Sequence, residues 1–349
     1  MRHIGVDLHK TNFVVCFIEA DDTQRLETYP LTRDDLARFV ARLDAADEVA
    51  VEATQNVHYF YDRVQAHVAR VAVVDTYRFG VIAKSKKKTD KADARALAHF
   101  LKLGWLPEVP VPSEQVRVLR QLLQARETLV SMRTKLKNMA HAAFSRNGVA
   151  LTRAAFASRL SRARLVSRDD LPATDLLVLR ACVRQIEHLD SEIKQIEEEV
   201  TRHGQALKGL RRLLQVHGLN LLSAISLLAE VGDIQLFETS KQLVSYAGLA
   251  TSTKQSSETT RHGGITKRGR KRLRTVCIQA VLAMVNRTDT PLMEFYRKKK
   301  REKGAGKAIC ATARKLLTII FVMLKKGLDY WYLEDRLYNR KLRALDAAA

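Results

Sequence analysis

Four carboxylates stand where an acidic side chain needs a reason. Asp7 interrupts the apolar run Ile4-Gly5-Val6-Asp7-Leu8. Asp is disfavoured in strands, and a buried charge is costly unless it is paired or binds a metal. Glu52 closes a second apolar stretch, Val49-Ala50-Val51. Asp90 and Asp93 fall three apart at the start of a helix that begins near Thr89, so they share a face, and a helix N-terminus favours negative charge. Each alone has an ordinary explanation as a strand-end, capping-turn or surface residue. Together they are hard oxygen donors of the kind that hold Mg²⁺ (or Mn²⁺). Two such ions can activate an attacking oxygen and stabilise a leaving one in phosphoryl transfer. A second source of chemistry is the stretch 251–260, where seven of ten residues are Ser or Thr. Taken alone, most of these read as plain loop hydroxyls, because a serine is a weak nucleophile until something activates it. Gly304-Ala305-Gly306-Lys307 fails as a nucleotide-binding loop, since Arg301 replaces the first glycine and Ala308 the Ser/Thr, so no ATP site is evident.

The elements that must position the carboxylates follow from patterning. Residues 3–9 and 12–19 read as strands across a short turn at His9-Lys10-Thr11-Asn12, and 49–51 and 71–74 as two more buried strands. Helices are expected from Thr32 to about 44, over roughly 56–69, and from Thr89 onward, the last preceded by a basic loop at 84–88. This is a mixed α/β domain over 1–104. A carboxylate in the first strand, one at a later strand end and an Asp pair on a helix form the pattern of an RNase H-like nuclease core. Prolines 107, 110 and 112 mark a linker. Beyond it, two long amphipathic helices, one running roughly 173–202, suggest a projecting antiparallel coiled-coil hairpin over 105–205. It reads as a spacer or dimerisation arm, with Asp190 and Glu197 interrupting the seam. Residues 206–330 are expected to be mainly helical. Around Gly218 a helix, a glycine turn and a helix read either as a phosphate contact or as an ordinary helical hairpin. A long loop is expected over 251–272, then helices at 270–286 and 305–326, and a basic C-terminal tail over 331–349.

Composition narrows the partner. The chain has 349 residues, a formal net charge of +22 and a pI near 10.0. The excess is uneven: residues 1–100 are balanced, 101–250 carry a net +6, and 251–349 a net +16. A field this positive favours a polyanion, and the C-terminal part reads as built to hold phosphates. No signal peptide is seen at the N-terminus, and the apolar run 316–324 is too short to span a bilayer, so no membrane is expected. The four cysteines are far apart and form no C-x-x-C pair, which argues against a disulfide framework or a zinc site and fits a reducing cytoplasm.

An ordered set of motifs resembles one family of insertion-sequence transposases, the IS one-ten family of RNA-guided recombinases. In the first half the matching pieces are Ile4-Gly5-Val6-Asp7-Leu8-His9-Lys10, Val51-Glu52-Ala53-Thr54 and Lys88-Thr89-Asp90-Lys91-Ala92-Asp93-Ala94. In the second half they are Phe237-Glu238, Leu243-Val244-Ser245-Tyr246-Ala247-Gly248-Leu249, Gln255-Ser256-Ser257, Gly264-Ile265-Thr266-Lys267-Arg268-Gly269 and Lys271-Arg272-Leu273-Arg274. The resemblance covers about residues 3–285.

It implies an N-terminal RuvC-like domain whose DEDD carboxylates are Asp7, Glu52, Asp90 and Asp93, and a second domain whose serine forms a covalent link to DNA. By position that serine is Ser256, with Ser257 the alternative because it replaces the usual glycine. Thr251 stands in place of a usual proline and Gln55 in place of a frequent glycine. The resemblance also implies an element-encoded guide (bridge) RNA, double-stranded donor and target DNA, and a homodimer pairing to a tetramer with a composite site. The setting would be bacterial cytoplasm, at the nucleoid when bound to DNA. A phosphoserine link would conserve the phosphodiester energy, so rejoining needs no ATP. Lys254, Arg261, Lys267, Arg268, Arg270, Lys271, Arg272 and Arg274 fit phosphate or RNA contacts that hold backbones without reading bases. The alternative activity is a RuvC-like, metal-dependent, structure-specific endonuclease that activates water with the carboxylates alone.

Overall fold

Ile4, Val6 and Leu8 alternate with Gly5 and Asp7 along β1 (His3–Leu8), and this strand becomes the middle of a five-stranded sheet. The computed structural model describes residues 1–82, 89–152, 154–256 and 259–347, the side chains of 81, 82 and 253–262 excepted. Two units emerge, Met1–Val111 and Pro112–Ala349.

In the first unit the strand order is β3-β2-β1-β4-β5. β2 (Asn12–Ile18) runs antiparallel to β1, and β3 (Gln24–Pro30) antiparallel to β2. β4 (Glu48–Glu52) and β5 (Arg70–Val74) extend the sheet in parallel on the other side. Alternation sends Ile4, Val6, Leu8, Val49 and Val51 to one face, where α1 (Arg33–Val40) and α2 (Val57–Val64) close a core around Phe13, Phe39 and Phe60. Gly5, Val14, Cys16, Ala50 and Ala72 point to the other face, covered by α4 (Asp90–Lys102). A short α3 (Thr76–Ile82) follows β5.

Two features differ from expectation. β3 was not anticipated: its sequence, Gln-Arg-Leu-Glu-Thr-Tyr-Pro, is largely polar because it is an edge strand with solvent on one side. The proline-bearing segment after 104 is also part of this unit. Asp75 donates its N–H to the Pro107 carbonyl (2.9 Å), Val109 donates to Val73 (2.8 Å), and Val109 and Val111 pack on the core. The basic loop expected at 84–88 lies outside the described residues.

The second unit begins with α5 (Glu114–Arg146), paired with α7 (Ala173–Gly204). Arg126 meets Glu197 (2.6 Å), Arg133 meets Asp190 (2.7 Å) and Arg146 meets Asp175 (2.5 Å), so the helices run antiparallel. The two acids that interrupt the apolar seam are therefore its ion-paired rungs. At the far end α6 (Arg159–Val166) closes a separate small core of Phe144, Phe156, Leu165, Leu171 and Leu179.

The remaining helices are α8 (Leu210–Leu214), α9 (Leu221–Val231), α10 (Ser240–Tyr246), α11 (Lys271–Met284), α12 (Pro291–Lys303), α13 (Ala305–Lys326) and α14 (Asp335–Asp346). α9 is buried without interruption from Ala224 to Val231 and is the centre of this core, which draws Leu316, Leu317 and Ile320 from the apolar run of α13. Among the described residues no helix is long and apolar enough to cross a membrane.

Three expectations change here. The stretch read as a loop over 251–272 holds a hairpin, β6 (Thr251–Ser256) and β7 (Thr259–Ile265), whose Thr-rich strands suit pleated backbone. The tail ends in α14, tied down by buried Leu345 and by Lys341, whose Nζ donates to the carbonyls of Leu214 and Val216 (2.8 Å each). At the helix–turn–helix, Asn220 and Ser223 form a capping box that already satisfies an N-terminal N–H of α9.

Candidate active site

Helix α4 reaches its sheet because Gly5 has no side chain. A Cβ there would lie 2.1 Å from the Ala94 carbonyl oxygen and 2.3 Å from the Ala98 nitrogen, both backbone atoms. With Ala94 and Ala98 at the crossing, the helix sits directly on β1. Its first turn is then carried to the end of β1, next to Asp7, the following residue of that strand pointing to the same face. Thr89 caps the turn by accepting from the Ala92 N–H (3.2 Å), which fixes where Asp90 and Asp93 begin.

The outcome is a compact donor set. One oxygen each of Asp7 and Asp90 and the Nε2 of His9 lie within 4.8 Å of one another. His9 Nε2 is 3.2 Å from both carboxylates. Neither approach is aligned as a hydrogen bond, so this nitrogen, buried at the atom, is close to two acids without a well-formed bond to either. Asp7 is only 7% exposed, whereas His9 and Asp90 open to solvent. Burial raises the Asp7 pKa above the ordinary carboxylate value; His9 opposes this, and Asp90 and Asp93 add to it as nearby negative charges.

Of the four predicted carboxylates, Asp7 and Asp90 are therefore brought together. Asp93 lies on the same first turn, near enough to act on Asp7 electrostatically but outside the 4.8 Å group. Glu52 follows Val51, which pairs with Val6, so it occupies the strand position beside Asp7; it too is outside the group. His9 was read only as part of a turn. The signal that could have found it is its position two residues beyond Asp7, at the strand end where the carboxylates gather. An acid-rich pocket with an imidazole nitrogen lacking a good partner suits a divalent cation, which would relieve the repulsion around Asp7.

Ser256 lies in the second unit, at the end of β6, in register with Thr259 of β7. Lys254 and Arg261 are backbone register partners in the same hairpin; the side chains of all three are outside the described side chains, and Ser257 lies outside the described residues. What holds the hairpin is visible at its base. Thr266 donates to Ala250 (2.8 Å) and Lys267 to Gly248 (3.1 Å). Gly248 and Gly269 both have positive φ, and each faces the other's segment: a Cβ on Gly248 would meet the Arg268 carbonyl at 2.4 Å, and one on Gly269 the Tyr246 carbonyl at 2.2 Å. Two of the sequence motifs thus interlock to form one footing.

The predicted phosphate-binding cations divide by their surroundings. Lys267, Arg268 and Lys271 are exposed. Arg270 is exposed too, donating Nε to the Tyr246 hydroxyl (2.9 Å), and Arg274 donates to the Ala247 carbonyl (2.9 Å). Arg272 is turned inward: it pairs with buried Glu230 (2.5 Å) and with Glu127 (3.1 Å), and donates to Gln124 (2.9 Å). These contacts join α11 to α9 and α5.

Comparison with known proteins agrees with both halves. Residues 4–146 match the DEDD transposase domain of the IS110 group, and residues 210–297 match the model described as "Transposase IS116/IS110/IS902 family". The chain is similar to the transposase for insertion sequence element IS1111A of Coxiella burnetii, 26% identical over 95% of this chain and 91% of the relative. It is 25% identical to the transposase for insertion sequence element IS1328 of Yersinia enterocolitica, over 93% of this chain and 97% of that one. A pilin gene-inverting protein of Moraxella bovis is 23% identical over 93% of this chain and 96% of its own length.

Proposed function

The chain belongs to the IS116/IS110/IS902 transposase family, and from that premise we propose that it cuts and rejoins donor and target DNA through a covalent serine–DNA intermediate, at sites chosen by an element-encoded guide RNA. The observation that carries the catalytic part is the convergence of Asp7, His9 and Asp90 on the sheet face under α4. Asp7 and Asp90, with Glu52 and Asp93 beside them, would hold Mg²⁺ or Mn²⁺, and His9 adds a nitrogen donor. A bound divalent ion would supply charge neutralisation at the phosphate and a lowered pKa for the attacking oxygen.

The serine hydroxyl attacks phosphorus, the bond to the leaving DNA oxygen breaks, and that oxygen takes up a proton. Attack by a DNA hydroxyl on the phosphoserine re-forms a phosphodiester and returns the serine. Rejoining is favoured over cutting alone by the relative named for inverting a gene, since an inversion needs every end resealed. Ser256 is the favoured nucleophile and Ser257 the alternative. The composite arrangement, with carboxylates and serine supplied by different protomers of a dimer pair, belongs to the same reading. The exposed cations at the hairpin footing support backbone contacts to DNA or RNA.

A covalent-adduct assay tests it. Full-length protein, element-derived RNA, Mg²⁺ and DNA carrying the donor junction and target are combined and run on denaturing gels. An adduct is expected for wild type and for Ser257→Ala, and none for Ser256→Ala or Asp7→Ala. Loss with Ser257→Ala alone moves the nucleophile by one residue. Free cut ends with no adduct, persisting in both serine variants, sink the recombinase reading in favour of the metal-dependent endonuclease.

A further inference from the structure

The second unit has an open cleft of about 1060 Å³ between the base of the β6–β7 hairpin and helices α12 and α13. Among the described residues six cations line it, Lys267, Lys299, Lys303, Lys307, Arg314 and Lys315, and no acidic one does. Its floor is apolar, made by Leu249, Ile265, Phe295 and Ala311. Five of the six cations lie on α12 and α13, all five beyond the stretch that matches the family model. Only Lys267 was anticipated from the sequence.

Charge and shape together limit the occupant. Only Lys299 of the six meets an acid among the described residues, Glu302 at 2.6 Å, and such an excess of cations favours a polyanion. The volume exceeds the roughly 300–1,000 Å³ of ordinary small-molecule sites, which suits a run of chain better than a single nucleotide. A duplex would present only phosphates and would leave the apolar floor unused. An unpaired strand presents both phosphates and apolar sugar and base surface.

The details agree. Lys315 Nζ stands 4.5 Å from the Phe295 ring centroid, so the ring helps to hold that ammonium group at the floor, while Lys299 Nζ, 5.8 Å from the ring, is paired with Glu302. Gly306 and Lys307 line the cleft in the first turn of the 22-residue α13, where free backbone N–H groups and the helix dipole favour a phosphate. The glycine–lysine motif that failed as a nucleotide loop thereby acquires a use that needs no hydrolysis.

We infer that this cleft binds a single-stranded nucleic-acid segment, its phosphates on the lysine rim and its unpaired bases against the Phe295 floor. The inference deepens the proposed function by giving the second unit a strand-holding site at the footing of the serine hairpin.

The test is equilibrium binding of full-length protein to a fluorescent 15-nucleotide DNA strand, the same strand as RNA, and the matching duplex, at several salt concentrations. Lys307→Glu with Lys315→Glu is compared with Lys298→Glu with Arg301→Glu, an equal charge change on exposed residues of α12 outside the cleft. The cleft variant is expected to bind single strands at least about tenfold more weakly than the control variant. Neutralising the same two lysines to alanine should lower the salt slope by roughly 0.7 per lost phosphate contact. An abasic strand should bind wild type about tenfold more weakly than the normal strand, and Phe295→Leu should narrow that difference. The DNA and RNA arms identify which strand the cleft prefers.

Equal weakening in the cleft and control variants, or equal affinity for abasic and normal strands, overturns the inference. Intact cleft binding in a protein that never forms the serine adduct supports the cleft while overturning the recombinase reading.

Discussion

The carboxylate cluster and the serine hairpin are built in opposite ways. The cluster is a by-product of a core: Gly5, Ala94 and Ala98 set the height of α4, and Asp7 and Asp90 meet because the packing leaves them no alternative. The hairpin is a two-stranded sheet, an arrangement that is marginal by itself, and depends on a footing of two glycines and two backbone hydrogen bonds. A metal site needs donors held to fractions of an ångström, which interior packing provides. A residue that must engage a long polymer needs access instead. On the proposed reading, rigidity goes with the candidate ion-binding groups and adaptability with the candidate nucleophile.

That contrast can be broken most forcefully at Gly5. In Gly5→Val the new side chain has backbone in its way, so α4 must lift. The expected outcome is loss of divalent binding, read by titration with Mn²⁺, together with destabilisation of about 1–3 kcal/mol in urea denaturation. Retained Mn²⁺ affinity in a folded Gly5→Val protein would mean that packing does not set the cluster. A smaller effect is expected at Gly269→Ala, where φ is +112° and the Tyr246 carbonyl is close. Adduct formation should fall while Mn²⁺ binding and the melting of the first unit stay as in wild type; a parallel loss of Mn²⁺ binding would erase the distinction between the two regions.

The smallest expected effect concerns how the second unit holds its last helix. Burial lowers the pKa of Lys341 to about 8, and a neighbouring arginine adds to this. A lysine depressed in the folded state binds fewer protons there than when unfolded, so its contribution to stability rises as pH goes from about 8 towards its ordinary value and is absent below. Chymotryptic cleavage in α14 should slow over that window in wild type and lose the dependence in Lys341→Met. A flat wild-type profile would show that the two carbonyl hydrogen bonds cancel the burial.

Much of the first unit was legible because its signals are local. Asp7 within an apolar strand and Asp90 behind a capping threonine announce both the element and its anomaly. His9 was not legible as a donor, since nothing in a turn sequence says that a helix about eighty residues on will bring a carboxylate to it. β3 was missed because an edge strand has no buried face to pattern, and α12 because its run Arg297-Lys298-Lys299-Lys300-Arg301 drowns the apolar positions Leu292, Met293 and Tyr296 that anchor it. The surroundings of Arg272 were hidden for a related reason: charge in a sequence reads as surface, and only tertiary contacts show it turned towards Glu230. The hairpin was read as a loop because seven Ser and Thr in ten residues look like linker composition, although the same residues suit exposed strands.

The 33-residue α5, locked to α7 by its ion-paired rungs, has a further consequence. At 1.5 Å per residue it is about 50 Å long, the length of roughly fifteen base pairs of duplex. Removing one heptad from each helix would leave both ends intact and bring the distal knob about 10 Å closer, some three base pairs. The cores at the two ends are separate, so each would be expected to keep its own packing in the shortened protein.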